Sequence, residues 1–183
     1  MAHRFALLLA ATLVASSGVG AEELIAGRYR IGDAGLTVTD LQTGLMWQRC
    51  QLGLAWTPAR ETCIGPERPL ALTWDAAMAY RSDLAGYADW RLPEKDELKS
   101  LVLCSTGPEA PLPDHASCNW RSRPTIHFGA FPGTRSSFMW SATPDLDRPD
   151  DMWGVEFADG QASSGYRGNL SEVRLVRGVP KRN

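Results

Sequence analysis

The sequence holds little of what catalytic machinery is usually made from. Three of its 183 residues are histidine, and apart from His3 near the start only His115 and His127 remain. Neither stands at a metal-site or catalytic-triad spacing. No G-x-S-x-G elbow, Walker loop or Rossmann glycine fingerprint is present. The four cysteines include no C-x-x-C pair, which argues against a redox motif or a zinc site. These absences exclude the common routes to nucleophilic, phosphoryl-transfer and dinucleotide chemistry. A non-enzymatic protein without a cofactor is expected. After the first residues, no stretch approaches the ~20 apolar residues needed to cross a bilayer. No low-complexity tract, charge block or internal repeat marks a second domain. A basic excess is missing too: the net charge is −2, which argues against a nucleic-acid partner.

What is present begins with a leader. Arg4, the apolar run Phe5 to Ala15 and the small residues Val19-Gly20-Ala21 read as a cleavable export signal over residues 1–21. Residues 22–183 then form one expected domain. Removing the leader leaves 162 residues, enough for a sizeable core, and takes the charge to −3 because Arg4 goes with it. Cys50, Cys63, Cys104 and Cys118 all fall in this mature part, as expected of a periplasmic or extracellular protein in an oxidising compartment. Of the three possible connectivities, the local pairs Cys50–Cys63 and Cys104–Cys118 are expected. Each closes a loop of about fifteen residues, worth roughly 3 kcal/mol in the chain-entropy account.

Thr73 to Leu101 is the stretch around which the rest is organised, and it reads as two short helices joined by an aromatic turn. Thr73 is a plausible N-cap with Asp75 in the first turn, and Trp74, Ala77, Met78 and Leu84 share one helical face. Gly86 stands where a left-handed cap ends the first helix. Pro93 is expected to open the second, followed by Glu94, Asp96 and Glu97, with Leu98, Leu101 and Val102 as its apolar stripe. Strands are expected at Arg28 to Ile31, and at Leu36 to Asp40 and Leu45 to Arg49 around a Gln42-Thr43-Gly44 turn. Further strands follow at Phe138 to Ala142, Met152 to Phe157, Gln161 to Ser164 and Val173 to Arg177. In the last, Val173, Leu175 and Val179 alternate with outward Arg174 and Arg177. Cys50 to Leu72 and Ser105 to Thr134 read as long irregular loops, the kind that is held by a cross-link or carries function. The order gives an α+β domain with helices on an antiparallel sheet.

The W-x-x-A-x-x-Y helix, the G-Y-x-D-W-R-L-P turn and the following E-L-x-x-L resemble the C-terminal domain family of the Legionella collagen-like protein. VTDLQTGLMWQRC (Val38 to Cys50), FMWSAT (Phe138 to Thr143), MWGVEFADGQ (Met152 to Gln161) and VRLVRG (Val173 to Gly178) extend the likeness over Leu36 to Gly178. The resemblance implies a C-type-lectin-like fold and an exported binding module, since the family prototype binds sulfated polysaccharides. Trp74 to Leu101 is also similar to a stretch of the formylglycine-generating enzyme fold. That enzyme uses a C-terminal cysteine pair, and here no Cys follows Cys118. The helix pair is therefore expected as scaffold without that chemistry.

Four groups of residues are candidates for binding or for holding the scaffold. Of the seven Trp, Trp47, Trp74, Trp90, Trp140 and Trp153 lie in patterned segments and are expected in the core. Trp56 and Trp120 lie in the irregular loops and are candidates to stack on a sugar ring. Trp120 to Arg135 carries Arg121, Arg123, Arg135 and His127 without an acid, a candidate site for sulfate, phosphate or carboxylate groups. The acidic run DLDRPDD offers Asp145, Asp147, Asp150 and Asp151 as oxygen ligands. Arg148 and Pro149 interrupt a calcium-loop pattern, and the lectin E-P-N, Q-P-D and W-N-D signatures are absent, so a solvated turn is expected. Asp89, Arg91 and Glu97 read as a structural ion-pair network. The partner expected is a glycan or polyanion, or alternatively an envelope protein contacted by the same loops.

Overall fold

A computed structural model describes residues 23–104, 113–118 and 123–179. The leader expected over residues 1–21 lies outside them. In chain order the strands are β1 (Leu24–Ile25), β2 (Tyr29–Gly32), β3 (Thr37–Asp40), β4 (Met46–Gln48), β5 (Ala55–Thr57), β6 (Thr62–Ile64) and β7 (Ala71–Leu72). Helices α1 (Trp74–Ala79) and α2 (Lys95–Lys99) come next. They are followed by β8 (Phe138–Pro144), β9 (Asp151–Glu156), β10 (Gln161–Tyr166), β11 (Ser171–Glu172) and β12 (Val176–Arg177). One sheet runs β1-β2-β3-β4-β12, a second runs β10-β9-β8-β11-β7, and β5-β6 is a separate hairpin. Pairing is antiparallel except where β11 lies beside β8. The architecture is α+β, and both expected disulfides are formed.

Alternation explains the first sheet: Tyr29 and Ile31 point inward while Arg30 is exposed. Its β3–β4 turn is fixed by Asp40, whose carboxylate accepts from the Gln42 N–H and the Thr43 hydroxyl. Gly44 supplies the positive φ of 77° that closes the turn. The same carboxylate holds Arg28 in a two-pronged pair at 2.9 and 2.7 Å. Arg28 donates in turn to the Ser100 carbonyl, which ties this sheet to the end of α2.

Two clusters of buried side chains result. Tyr29, Val38, Trp47, Leu98, Phe131 and Val155 belong to the first, and Leu52, Trp90, Trp140, Met152 and Leu175 to the second. Trp47, Trp90 and Trp140 are buried as expected, whereas Trp74 and Trp153 are only half-buried.

The helices are shorter than their periodicity suggests. Thr73 caps α1 by accepting the Ala76 N–H, but the chain turns extended at Tyr80. Leu84–Gly86 is a separate single turn whose Leu84 carbonyl accepts the Trp90 indole N–H. Packing of this segment into the second cluster wins over helix continuation. Pro93 precedes rather than opens α2: the N-cap is Glu94, in a capping box with Glu97. Residues 50–72 are not wholly irregular either, since β5, β6 and β7 form within them.

The expected last strand is interrupted between β11 and β12. There the Val173 and Leu175 carbonyls accept from Leu52 and Gln48 instead of a regular ladder partner. Arg174 is wholly buried between them, not outward, and Val179 is exposed. The guanidinium donates to the Gln48 and Arg49 carbonyls and to the Thr134 hydroxyl, which is why burial is possible.

Candidate functional site

Trp120 and Arg121 lie outside the described residues. Arg123 is exposed, and the Glu156 carboxyl is raised by burial against the pull of the Ala158 N–H, with Arg123 only a minor opposing charge. Arg135 donates to the Glu67 carbonyl at 2.9 Å and lies 3.6 Å from the Glu172 carboxylate. The Arg135 guanidinium therefore has acid at hand.

The acidic run is a hairpin staple. Asp145 is buried and accepts from the Ser164 hydroxyl at 2.6 Å, the Asp147 N–H and Arg148. The Ser164 hydrogen bond, with the Asp147 and Arg148 donors, outweighs burial and holds its carboxyl below the usual range. Arg148 also reaches Asp151. Among the described residues no three His, Cys, Asp or Glu side chains gather as a metal site.

Asp89, Arg91 and Glu97 divide into two pairs: Arg91 grips Glu97 with two 2.7 Å bonds, and Asp89 takes Arg177. His127 uses Nδ1 to accept the Ala130 N–H and packs on Tyr29, while His115 packs on Trp153. Neither histidine has a nucleophile as a hydrogen-bond partner among these contacts.

Of the expected residues, Arg135 lines a hollow of about 240 Å³ together with Glu67, and Trp56 lines two others. Trp56 sits on β5, directly paired with the disulfide residue Cys63 on β6. The edge of its indole lies against Gly35, where an added Cβ would come 2.3 Å from Nε1. One ring face carries the Arg49 guanidinium, 3.8 Å from the centroid. Arg49 is itself anchored by the Gly129 and Ala130 carbonyls. The ring is therefore fixed on an edge and a face, and the opposite face is the one it can offer.

Trp56 lines a groove of about 280 Å³ between the β5–β6 hairpin and the extended Tyr80–Leu84 segment. Leu36, Leu54, Tyr80 and Leu84 share the lining with Gln48 and Ser82. Gln48 is buried at 4% exposure, and its side-chain amide donates to the Ser82 hydroxyl at 2.9 Å. Apolar walls with a few placed polar groups are what small-ligand sites usually present.

Two other hollows are more charged. One of about 370 Å³ behind Trp56 is lined by Glu23, Arg49 and Glu61. Another of about 510 Å³ is lined by Arg28, Tyr29, Leu103 and His127. Burial, the largest influence there, pushes the Tyr29 hydroxyl up to about 12.

Of these lining residues, sequence reasoning singled out Trp56 and not Gln48, Tyr80 or Ser82. Gln48 and Ser82 are 34 positions apart, and no local pattern signals a side-chain bond across that distance. The one available signal was the chain's departure from the helix after Ala79, which the periodicity concealed.

The family described as the Lcl C-terminal domain matches residues 36–177. No curated protein matches the chain.

Proposed function

The chain belongs to the Lcl C-terminal domain family, and we propose that it is an exported, non-enzymatic binding module of the cell envelope or the secreted fraction. It takes glycans through the groove beside the Cys50–Cys63 hairpin. Its two sheets and short helices are assigned to the C-type-lectin-like group on the family resemblance alone. The two disulfides support an oxidising compartment. Among the described residues no helix is long and apolar enough to cross a membrane.

The observation that carries the reading is the placement of Trp56. A rigidly held indole, half-exposed on a groove with amide and hydroxyl groups at hand, matches the two faces of a sugar ring. The C–H face stacks on the indole and the hydroxyls hydrogen-bond beside it. The polyanion alternative, through Arg121, Arg123 and Arg135, has less support because the Glu172 carboxylate accompanies Arg135.

The test is binding of oxidised protein spanning residues 22–183 to an array that includes sulfated polysaccharides, with and without calcium. Calcium-independent binding that is lost on Trp56→Ala is the expected result. Binding that requires calcium would move the site to the Asp145–Asp151 hairpin.

A further inference from the structure

Resting on the reading of this groove as a glycan site, we infer that its ligand is a single uncharged sugar ring, at the end or branch of a neutral glycan. The first argument is electrostatic. Not one Asp, Glu, Lys or Arg is among the twelve residues that line the groove. Arg49 lines the hollow on the other side of Trp56, with Nε and Nη2 donating to backbone carbonyls, and the exposed Arg81, between the lining residues Tyr80 and Ser82, donates to the Met78 and Tyr80 carbonyls. A sulfate or carboxylate entering the groove would give up water without meeting a charged side chain in the lining, which is unfavourable. A hydroxylated neutral ring carries no such penalty.

The second argument is the polar pair. Gln48 is fixed from both sides of its backbone: its N–H donates to the Leu175 carbonyl at 3.0 Å and its carbonyl accepts from Arg174. One of the two side-chain N–H groups goes to Ser82, and the amide oxygen accepts nothing among the described residues although the residue is 4% exposed. The Ser82 oxygen accepts from Gln48 and from the Leu84 N–H, so its own proton remains to be donated. The groove therefore offers an amide acceptor with donors beside it, the Ser82 hydroxyl and the second Gln48 N–H. Adjacent sugar hydroxyls, each both donor and acceptor, satisfy that pair, whereas a sulfate ester, an acceptor only, leaves the Gln48 oxygen unmet.

The third argument is size. About 280 Å³ lies at the small end of ligand pockets, which run from roughly 300 to 1,000 Å³. A space this small suits a short ligand, with the rest of a glycan chain left in solvent.

A panel of neutral oligosaccharides ending in glucose, galactose, mannose or N-acetylglucosamine, set against the sulfated form of each, tests this at low and high salt. Expected is binding to at least one neutral member that is insensitive to salt and to calcium chelation. Trp56→Ala should weaken it about tenfold or more. Ser82→Ala, at the groove's rim and without a core role, should weaken it roughly fivefold. Arg123→Ala with Arg135→Ala should leave it within about twofold, as surface charges outside the groove do. Ser82→Ala decides the matter if Trp56→Ala fails to fold. Groove-dependent binding confined to sulfated members and falling with salt overturns the neutral-ring inference but leaves the groove as a glycan site. Binding to no member, or binding indifferent to both groove substitutions, overturns the glycan reading itself.

Discussion

Arg174 is a full positive charge with no solvent contact and, among the described residues, no carboxylate at salt-bridge distance, Glu172 acting only from farther off. Burial pushes its guanidinium below the usual arginine range, to about 9, and still leaves it charged at neutral pH. Two carbonyls and one hydroxyl depend on it. Arg174→Ala is therefore expected to cost about 3–5 kcal/mol, as stranded acceptors and a cavity in one step. Arg177→Ala, whose pair with Asp89 is solvent-exposed, should cost less than about 1 kcal/mol. Urea denaturation of the two variants checks the contrast.

Asp40 makes a pH-dependent counterpart. Burial alone would raise its carboxyl, but the Arg28, Thr43 and Gln42 hydrogen bonds more than offset that and hold it below the ordinary range. A folded pKa below the unfolded one means that the stabilisation is complete above roughly pH 4 and lost as pH falls through the folded value. Asp40→Asn should thus cost about 2 kcal/mol at pH 7, with the gap to the unaltered protein closing in acid. Urea midpoints at pH 7, 4 and 3 measure it.

At the scale of elements, the β5–β6 hairpin is too short to hold itself: three residues a side, closed by Cys50–Cys63. Replacing both cysteines with Ser should lower stability by roughly 3 kcal/mol and also weaken sugar binding, because Trp56 rides on this hairpin. The matching replacement of Cys104 and Cys118 should cost a comparable amount of stability and leave the groove's affinity alone. Thermal melts with titrations on both variants separate the two effects.

The hairpin also shows why some elements were legible in sequence and others were not. The Gln42-Thr43-Gly44 turn announces itself locally, through a side-chain acceptor and a glycine at positive φ. Strands as short as those of β5 and β6 have no room for an alternation to show. The first helix was over-read because Leu84 keeps helical spacing while packing from a separate turn.

For the whole molecule, order and class follow from the sequence: strands, two helices, strands again, with both disulfides local. What does not follow is how the return of the chain joins the two sheets. Val173, Arg174 and Leu175 alternate like a half-buried strand, yet long-range carbonyl acceptors and Thr134 draw Arg174 inward. The candidate groove is non-local in the same sense. Trp56 could be singled out as an aromatic in an irregular loop, but Gln48, Tyr80 and Ser82 become a site only when β4, the hairpin and the segment after α1 meet.

The central claim is that this meeting place binds a neutral sugar. The most direct measurement is a nuclear magnetic resonance titration of isotope-labelled protein with whichever neutral sugar of the panel binds. The account predicts saturable shifts of the Trp56 indole N–H and the Gln48 side-chain amide, with the Tyr80–Leu84 backbone moving along with them. Shifts centred instead on Arg123 and Arg135, or on the Asp145–Asp151 hairpin, would contradict it.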